Sequence, residues 1–209
     1  MGTVKVTGRG KGRTPADTVE IAIHLETKSL EYAELNRLNG AKYTGIAEAV
    51  EACGLDAKAL KTSALHVNAE YEYNADRQRV FAGYVMSQEL ALRFPFTAER
   101  LGRVLDALSG SRADASLEIR FVCGSLAEQR KQLRRDAVAD ALLTAQTLTA
   151  AAGLRLKSIL SIEYLGGRGE DASATQLRPV MLRAAAANVT PEEIEAEEAV
   201  QIVWETEEI

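Results

Sequence analysis

The sequence is poor in the residues that build disulfide frameworks and zinc sites. Among 209 residues it has two cysteines, two histidines, four prolines and one tryptophan. Cys53 and Cys123 both fall in apolar patterns, which predicts two buried free thiols in preference to a disulfide. His24 and His66 lie on the polar sides of alternating segments, and neither has a further histidine or a cysteine at ligand spacing. The sequence therefore predicts no metal site.

Long apolar runs and an excess of positive charge are also missing. No segment approaches the roughly 20 apolar residues of a membrane-spanning helix, and no signal-peptide core precedes the first predicted strand. We therefore expect a cytoplasmic protein from the chain as it stands, and a periplasmic or envelope protein if a leader has been removed. The formal net charge of −5 argues against nucleic acid and anionic membranes as partners, because both attract basic proteins.

What is present is an ordinary globular composition. Hydrophobic residues make up 46% of the chain and charged residues 26%. A chain of this size can bury roughly 70% of the surface that its unfolded form exposes. That is enough for one large domain or two small packed ones without a disulfide or a metal, and we expect most of the chain to be ordered.

Hydrophobic periodicity predicts a regular order of elements in the first 123 residues. Thr3–Arg9 and Asp17–Lys28 are predicted strands, joined by a flexible turn at Gly8–Gly12. This glycine-rich segment is not a phosphate-binding loop, because a strand and not a helix follows it. Apolar spacing predicts a helix over Leu30–Ala52, with Gly54 at its C-terminal end. The other elements predicted in this part are a hairpin of Leu65–Tyr73 and Val80–Phe94 with its loop at Asn74–Gln78, a short helix capped by Thr97, and a strand over Leu117–Cys123.

A long helix and two strands are predicted in the remainder of the chain. Ser125 and Glu128 are spaced as a capping box at the start of this helix, and Gly153 marks its end. A strand is predicted around Leu156–Leu165. The segment Gly166–Thr190 has no dependable period and is predicted to be a long loop. The last strand has apolar residues on one side: Val200, Ile202 and Trp204.

The predicted order is β-β-α-β-β-α-β-α-β-β, which is an α+β fold. Residues 17–123 have the β-α-β-β-α-β order of the ferredoxin-like arrangement, in which two helices cover one face of an antiparallel sheet. Residues 1–16 and 124–209 are predicted to form a second, discontinuous α/β unit, built from the long helix and antiparallel strands and packed with the first. We interpret 1–209 as a single domain with these two subdomains.

The residues that could carry chemistry have simpler structural explanations. Glu70 and Glu72 share one side of a strand, as many solvated carboxylates do, and nothing marks them as an acid–base pair. Tyr71, Tyr73 and Tyr84 could stack on RNA bases, but the RNA-recognition string is missing and packing in the hairpin core explains them more simply. The chain has no G-x-S-x-G motif for a nucleophilic hydrolase. We predict no catalytic and no cofactor-binding residues.

The charge pattern is more informative than any motif. Basic residues gather at the start of the long helix, and the C-terminal stretch is acidic. Opposite patches can meet between copies of a chain, and the alternative that stays open is two solvated faces. The candidate interaction surface consists of Arg130, Lys131, Arg134, Arg135, Glu192, Glu193, Glu195, Glu197 and Glu198.

Several segments together carry a resemblance to a known family. They are Val4–Gly10 with Pro15–Thr18, Leu60–Thr62 with Tyr71 and Tyr73, Gly83–Tyr84, and Ala137–Ala141 with Ala151–Leu154. In this order and spacing they resemble the SIMPL-domain family of bacterial proteins. We expect the chain to depart from the family in having no leader. It also has Thr190-Pro191-Glu192-Glu193 where relatives tend to have Pro-Gly before the final strand.

The resemblance implies a fold more than an activity. Members of this family are uncharacterised proteins that are mostly periplasmic or envelope-associated and are connected with oxidative-stress tolerance and immunogenicity. Some of them form large homo-oligomers, so the resemblance implies the same properties as expectations for this chain. We therefore expect a non-enzymatic structural or interaction protein that forms a homo-oligomer or binds an unknown protein partner. Its expected contact surfaces are the charged patches and the Gly166–Thr190 loop. The alternative is a small-ligand-binding or enzymatic module with a pocket at the subdomain junction.

Overall fold

The structure, a computed structural model, describes residues 2–168 and 189–208 of the chain. In this part the elements follow the predicted order, so the α+β fold class is confirmed. A 3₁₀ turn at Ala57–Ala59 precedes the third strand. The strands are β1 (Gly2–Thr14), β2 (Thr18–Ser29), β3 (Leu60–Tyr73), β4 (Arg79–Pro95), β5 (Ser116–Val122), β6 (Leu154–Arg168) and β7 (Ile194–Glu208), and the helices are α1 (Tyr32–Ala52), α2 (Ala98–Gly110) and α3 (Leu126–Ala151).

The described residues fall into two compact units: residues 2–16, 123–168 and 192–208 form the first, and residues 17–122 and 189–191 form the second. The first unit contains a sheet of strand order β1-β7-β6, and the second a sheet of strand order β3-β4-β2-β5. All strand pairs in both sheets are antiparallel. The interpretation of the units as subdomains of a single domain stays a prediction.

The second unit has the ferredoxin-like arrangement. Alternate residues of β2, from Val19 to Leu25, are buried, and α1 packs against β2, β4 and α2. The α1 residues Leu35, Ile46 and Val50 contribute to this core. Helix α2 begins as predicted, because Thr97 Oγ1 accepts a hydrogen bond of 3.1 Å from the Arg100 N–H. Strands with alternating buried residues and two amphipathic helices thus form a sheet with a layer of helices on one face.

The first unit is built around close contact between α3 and the strands β1 and β7. Its core contains Ala137, Ala141 and Ala145 of α3, together with the apolar residues Val6, Val200, Ile202 and Trp204. The predicted turn at Gly8–Gly12 is wrong, since β1 continues through these glycines to Thr14. A Cβ at Gly8 would overlap the Ala137 carbonyl oxygen, and one at Gly10 would overlap that of Leu133. These glycines let the helix backbone lie directly on the strand.

The ends of α3 and β6 also differ from the prediction. Ser125 makes no side-chain capping hydrogen bond, because its backbone is not in the extended conformation that a capping residue needs. Its hydroxyl lies 3.5 Å from Cys123 Sγ, and Glu128 pairs with Lys131 at 2.6 Å. The prediction of a capping box at Ser125 and Glu128 is therefore wrong. Strand β6 includes Gly166 to Arg168, and the rest of the predicted loop lies mostly outside the described residues.

Both cysteines are free thiols. Cys123 is buried as predicted, whereas Cys53 is half-buried and its thiol donates a hydrogen bond of 3.4 Å to the Arg103 carbonyl oxygen. Burial raises the pKa of the Cys53 thiol. Within residues 2–168 and 189–208, no helix is long and apolar enough to cross a membrane.

Candidate interaction surfaces

The side of β7 that faces α3 carries a buried carboxylate. Alternate residues of this strand are buried, and Glu198 takes one of these positions two residues before Val200. Only 1% of its side chain is exposed. The register places Gly10 of β1 and Gly167 of β6 on either side of Glu198. A Cβ at Gly167 would lie 2.6 Å from Glu198 Oε1, so glycine leaves the space that the carboxylate fills.

Two arginines, one helical turn apart on α3, meet this carboxylate. Arg134 Nε lies 3.4 Å from Oε2, and Arg130 Nε lies 3.7 Å from Oε1. The Tyr164 hydroxyl of β6 donates a hydrogen bond to Oε2 of Glu198. Within the described part of the chain, Oε1 accepts no hydrogen bond. We call Arg130, Arg134, Tyr164 and Glu198 the Glu198 cluster.

Electrostatics explain how the Glu198 cluster is held together. The hydrogen bond to Glu198 raises the pKa of Tyr164, because loss of the phenolic proton would break the bond and bring two anions together. The guanidinium of Arg134 lies 5.6 Å from the centre of the Tyr164 ring. The cluster joins α3 to β7 through opposite charges, and β6 to β7 through the hydrogen bond from Tyr164.

The other predicted surface residues are divided by the pleat of β7. Glu195 and Glu197 point away from α3, where Glu195 pairs with Arg13 at 2.6 Å and Glu197 pairs with Arg9 and Lys11. The hydrogen bond from Arg9 lowers the pKa of Glu197. The remaining predicted residues are exposed: Lys131, Arg135, Glu192 and Glu193. The structure thus brings Arg130 and Arg134 together with Glu198 inside one chain. Whether any of these residues contacts another chain stays a prediction.

An apolar surface lies on β6, which sequence analysis did not single out. Five large side chains of this strand are between 48% and 58% exposed: Ile159, Leu160, Ile162, Tyr164 and Leu165. Strand β6 is at an edge of its sheet, and α3 packs mainly over β1 and β7. The sequence predicts strand β6, but the spacing of its apolar residues does not show that α3 leaves most of this strand uncovered.

A second apolar surface lies on the hairpin of β3 and β4. Tyr71 and Tyr73 are 44% and 74% exposed, so the predicted packing of these residues in the core is wrong. The reason is that β3 is an edge strand, while α1 packs over β2 and β4. Tyr71, Phe81, Tyr84 and Tyr32 form a chain of edge-to-face contacts, with ring centres 5.0–5.8 Å apart. Arg79 lies over the Tyr71 ring at 3.9 Å.

Of the residues considered for metal binding and acid–base chemistry, His24 lies on β2, whereas His66, Glu70 and Glu72 lie on the polar side of β3. His24 is half-buried and His66 is exposed. Among the described residues, no three His, Cys, Asp or Glu side chains are grouped so as to hold a metal ion. Glu70 Oε1 accepts a hydrogen bond of 3.0 Å from Lys28.

Two antiparallel sheets and three helices define the class of the described residues as an α+β protein. Its charged residues form pairs on neighbouring strands, and its edge strands β3 and β6 expose apolar side chains. The particular family follows from comparison with known proteins. The family model SIMPL, described as "Protein of unknown function (DUF541)", matches residues 4–204, so the chain belongs to this family. The resemblance seen in the sequence is confirmed.

Two curated relatives carry the same description. The chain is 24% identical over 166 residues to the 26 kDa periplasmic immunogenic protein of Brucella melitensis biotype 1, a match that covers 78% of this chain and 66% of the relative. The 26 kDa periplasmic immunogenic protein of Brucella abortus (strain S19) matches with the same identity and the same coverage. The match thus spans just under two thirds of the length of these relatives.

Proposed function

We propose that this protein is a non-enzymatic interaction protein of the bacterial envelope that works by self-association. Family membership supports an envelope-related role, and the relatives described as periplasmic support a place in the periplasm. We assign function to surfaces because Glu70 is paired with Lys28, and His66 and Glu72 lie exposed on β3.

One observation carries the self-association. Large apolar side chains are exposed on the edge strands of both sheets, on β3 in one unit and β6 in the other. Contiguous apolar surface on a protein that meets water generally marks a place where another molecule binds. Its removal from water is favourable by roughly 25 cal/mol per Å². The charged residues are expected to contribute less to contacts between copies, because most of those predicted from sequence are already paired within the chain.

Size-exclusion chromatography with light scattering tests self-association. We expect a species larger than the 22.6 kDa chain at tens of micromolar protein, on the order of the affinities of weak to moderate interfaces. A strict monomer over this concentration range, at both low and physiological salt, would contradict the proposal.

Fractionation of the native host tests the location. We expect the protein to be released by osmotic shock together with a periplasmic marker enzyme. Recovery only with a cytoplasmic marker would contradict the envelope role while leaving self-association intact.

A further inference from the structure

The described part of the chain has four edge strands, and three of them carry features that discourage pairing with another strand. Proteins protect such edges with charges, short length or bulges, because the outer backbone groups are otherwise free to pair. Strand β1 carries the basic residues Lys5, Arg9, Lys11 and Arg13. Strand β5 has seven residues. Strand β6 has three register shifts, each with the extra residue on β6 itself.

Strand β3 is less protected, because its segment from Ala64 to Tyr73 carries two charged residues, Glu70 and Glu72, against the four basic residues of β1. Its first register shift is at Ser63, and at the second the extra residue is Ala82 of β4, so β3 is regular from Ala64 to Tyr73. This segment contains no proline. Among the described residues, no strand pairs with its outer edge. It therefore presents ten residues of regular backbone for another strand.

The two sides of this segment have opposite character. The side facing the helix layer carries residues that are all exposed: Leu65, Val67, Ala69, Tyr71 and Tyr73. The other side is polar, with His66, Asn68, Glu70 and Glu72. A partner strand must match both sides, apolar against apolar and polar against polar.

We infer that the partner of β3 is β3 of a second copy, paired antiparallel about Ala69. This inference rests on the proposed self-association and names its interface. In this register Leu65 lies opposite the partner's Tyr73 and Val67 opposite the partner's Tyr71, which are favourable aliphatic–aromatic pairs. On the polar side, His66 lies opposite the partner's Glu72, and Asn68 opposite the partner's Glu70. Two four-stranded sheets become one sheet of eight strands.

Charge and geometry select this arrangement over its neighbours. Parallel, in-register pairing would bring Glu70 and Glu72 opposite their own copies, and an antiparallel pair centred on Glu70 would oppose two Glu70 carboxylates. A pair centred on Asn68 would place Tyr73 opposite the bulge at Ser63. Only the pair centred on Ala69 matches both tyrosines with aliphatic residues and opposes no like charges.

Disulfide cross-linking tests the register. With Cys53 and Cys123 replaced by alanine, Ala69→Cys places two thiols on the two-fold axis, where paired Cα atoms are about 4.5–5.5 Å apart and suit a disulfide. We expect mild oxidation to give a covalent dimer. The matched control on the same strand is Lys61→Cys, whose counterpart lies beyond the partner's strand, and it gives no dimer above background.

A charge-complementation experiment tests the interface without cysteines. We expect Val67→Lys with Tyr71→Lys, and separately Val67→Glu with Tyr71→Glu, to weaken self-association by about tenfold or more, since each variant opposes like charges. Mixing the two variants restores association. The control Leu143→Lys, at an exposed position on α3, leaves association unchanged.

The outcomes separate this inference from the proposed function. An oligomer that persists in both charged variants, with cross-linking at Ala69→Cys no greater than at Lys61→Cys, overturns the β3 interface and leaves self-association standing. A wild-type protein that is strictly monomeric overturns both.

Discussion

At the scale of single residues, Glu198 occupies a buried position of β7 between two apolar ones, Ala196 and Val200. Burial of a carboxylate is costly unless charged partners offset the loss of hydration. Arg130 and Arg134 supply that charge, and Tyr164 supplies a hydrogen bond. The Glu198 cluster anchors α3 to β7. Both arginine side chains remain partly exposed, so their guanidinium groups are still hydrated.

Removal of the Glu198 charge should lower stability. We expect Glu198→Gln to reduce the free energy of unfolding by about 1–3 kcal/mol, because two arginines lose their counter-charge around a buried site. Urea unfolding followed by circular dichroism measures the change. The control is Glu195→Gln, which breaks an exposed pair and should change stability by less than about 0.5 kcal/mol. Equal effects of the two substitutions would contradict the assigned role.

Two glycines provide a second test at this scale. Gly10→Ala should destabilise the protein by about 1–3 kcal/mol, because the new Cβ would overlap the Leu133 carbonyl oxygen of α3. Gly40→Ala in α1 is the control, since nothing lies within 4 Å of its added Cβ and alanine is the better helix former, by up to about 1 kcal/mol. Thermal unfolding of both variants should give shifts of opposite sign.

At the scale of elements, a buried row of polar side chains links α1 to the sheet beneath it. Thr27 of β2 donates a hydrogen bond of 3.2 Å to Asn39 Oδ1, and Asn39 Nδ2 donates one of 2.7 Å to Gln88 Oε1 of β4. All three residues are buried. Buried polar groups must find such partners, so this row fixes the position of α1 along the strands.

Truncation of the central residue in this row should be costly. We expect Asn39→Ala to lower the free energy of unfolding by about 1–3 kcal/mol, since Thr27 and Gln88 lose a buried partner. Asn36→Ala is the control on the same helix, where the exposed side chain is replaced by a better helix former and stability changes by less than about 0.5 kcal/mol. A loss of stability in Asn36→Ala as large as that in Asn39→Ala would exclude the row as the cause.

The pairing of β1 with β7 predicts a pH dependence. The hydrogen bond from Arg9 lowers the pKa of Glu197 below its ordinary value of 4.5. A lowered carboxyl pKa stabilises the fold above the unfolded value, and this contribution is lost as the pH falls through the folded value. We expect the stability difference between wild type and Glu197→Gln to be largest above about pH 4.5 and to shrink below it. In a protein that also carries Arg9→Met, the effect of Glu197→Gln on stability should vary less with pH. If this effect varies with pH as much as it does with Arg9 present, Arg9 does not cause the lowered pKa of Glu197.

At the scale of the whole molecule, charged residues on neighbouring strands of the first unit pair within the chain, while large apolar residues remain exposed on edge strands. The pairs Arg9–Glu197, Arg13–Glu195 and Arg155–Glu207 join neighbouring strands. Contacts between copies are then expected to depend on apolar surface and backbone pairing more than on opposite charged patches.

Salt separates these two modes of assembly. At about 0.5 M salt, charge interactions between exposed groups are screened within a few ångströms, whereas apolar contacts are not weakened. We expect the oligomer mass measured by light scattering to be unchanged between low salt and this concentration. Dissociation with rising salt would instead favour the patches at Arg130–Arg135 and Glu192–Glu198.

The fold could be read largely from sequence because its signals are local. Alternation from Val19 to Leu25, the Thr97 cap and the glycines after α1 and α3 all act within a few residues, and the structure has each of them. The site was harder to read. Glu198 shares the phase of Val200 and Ile202, but its acidic neighbours suggested a solvated stretch.

The sequence by itself determined the order of the elements, the α+β class and the family, since periodicity and spacing are properties of neighbouring residues. The tertiary structure decided which faces are covered. Gly8 and Gly10 allow the backbone of α3 to contact β1, and Glu198 pairs with Arg130 and Arg134 of α3. Strands β3 and β6 lie at sheet edges with exposed apolar residues. These outcomes depend on where α1 and α3 lie on their sheets, which is set by contacts between residues far apart in the chain.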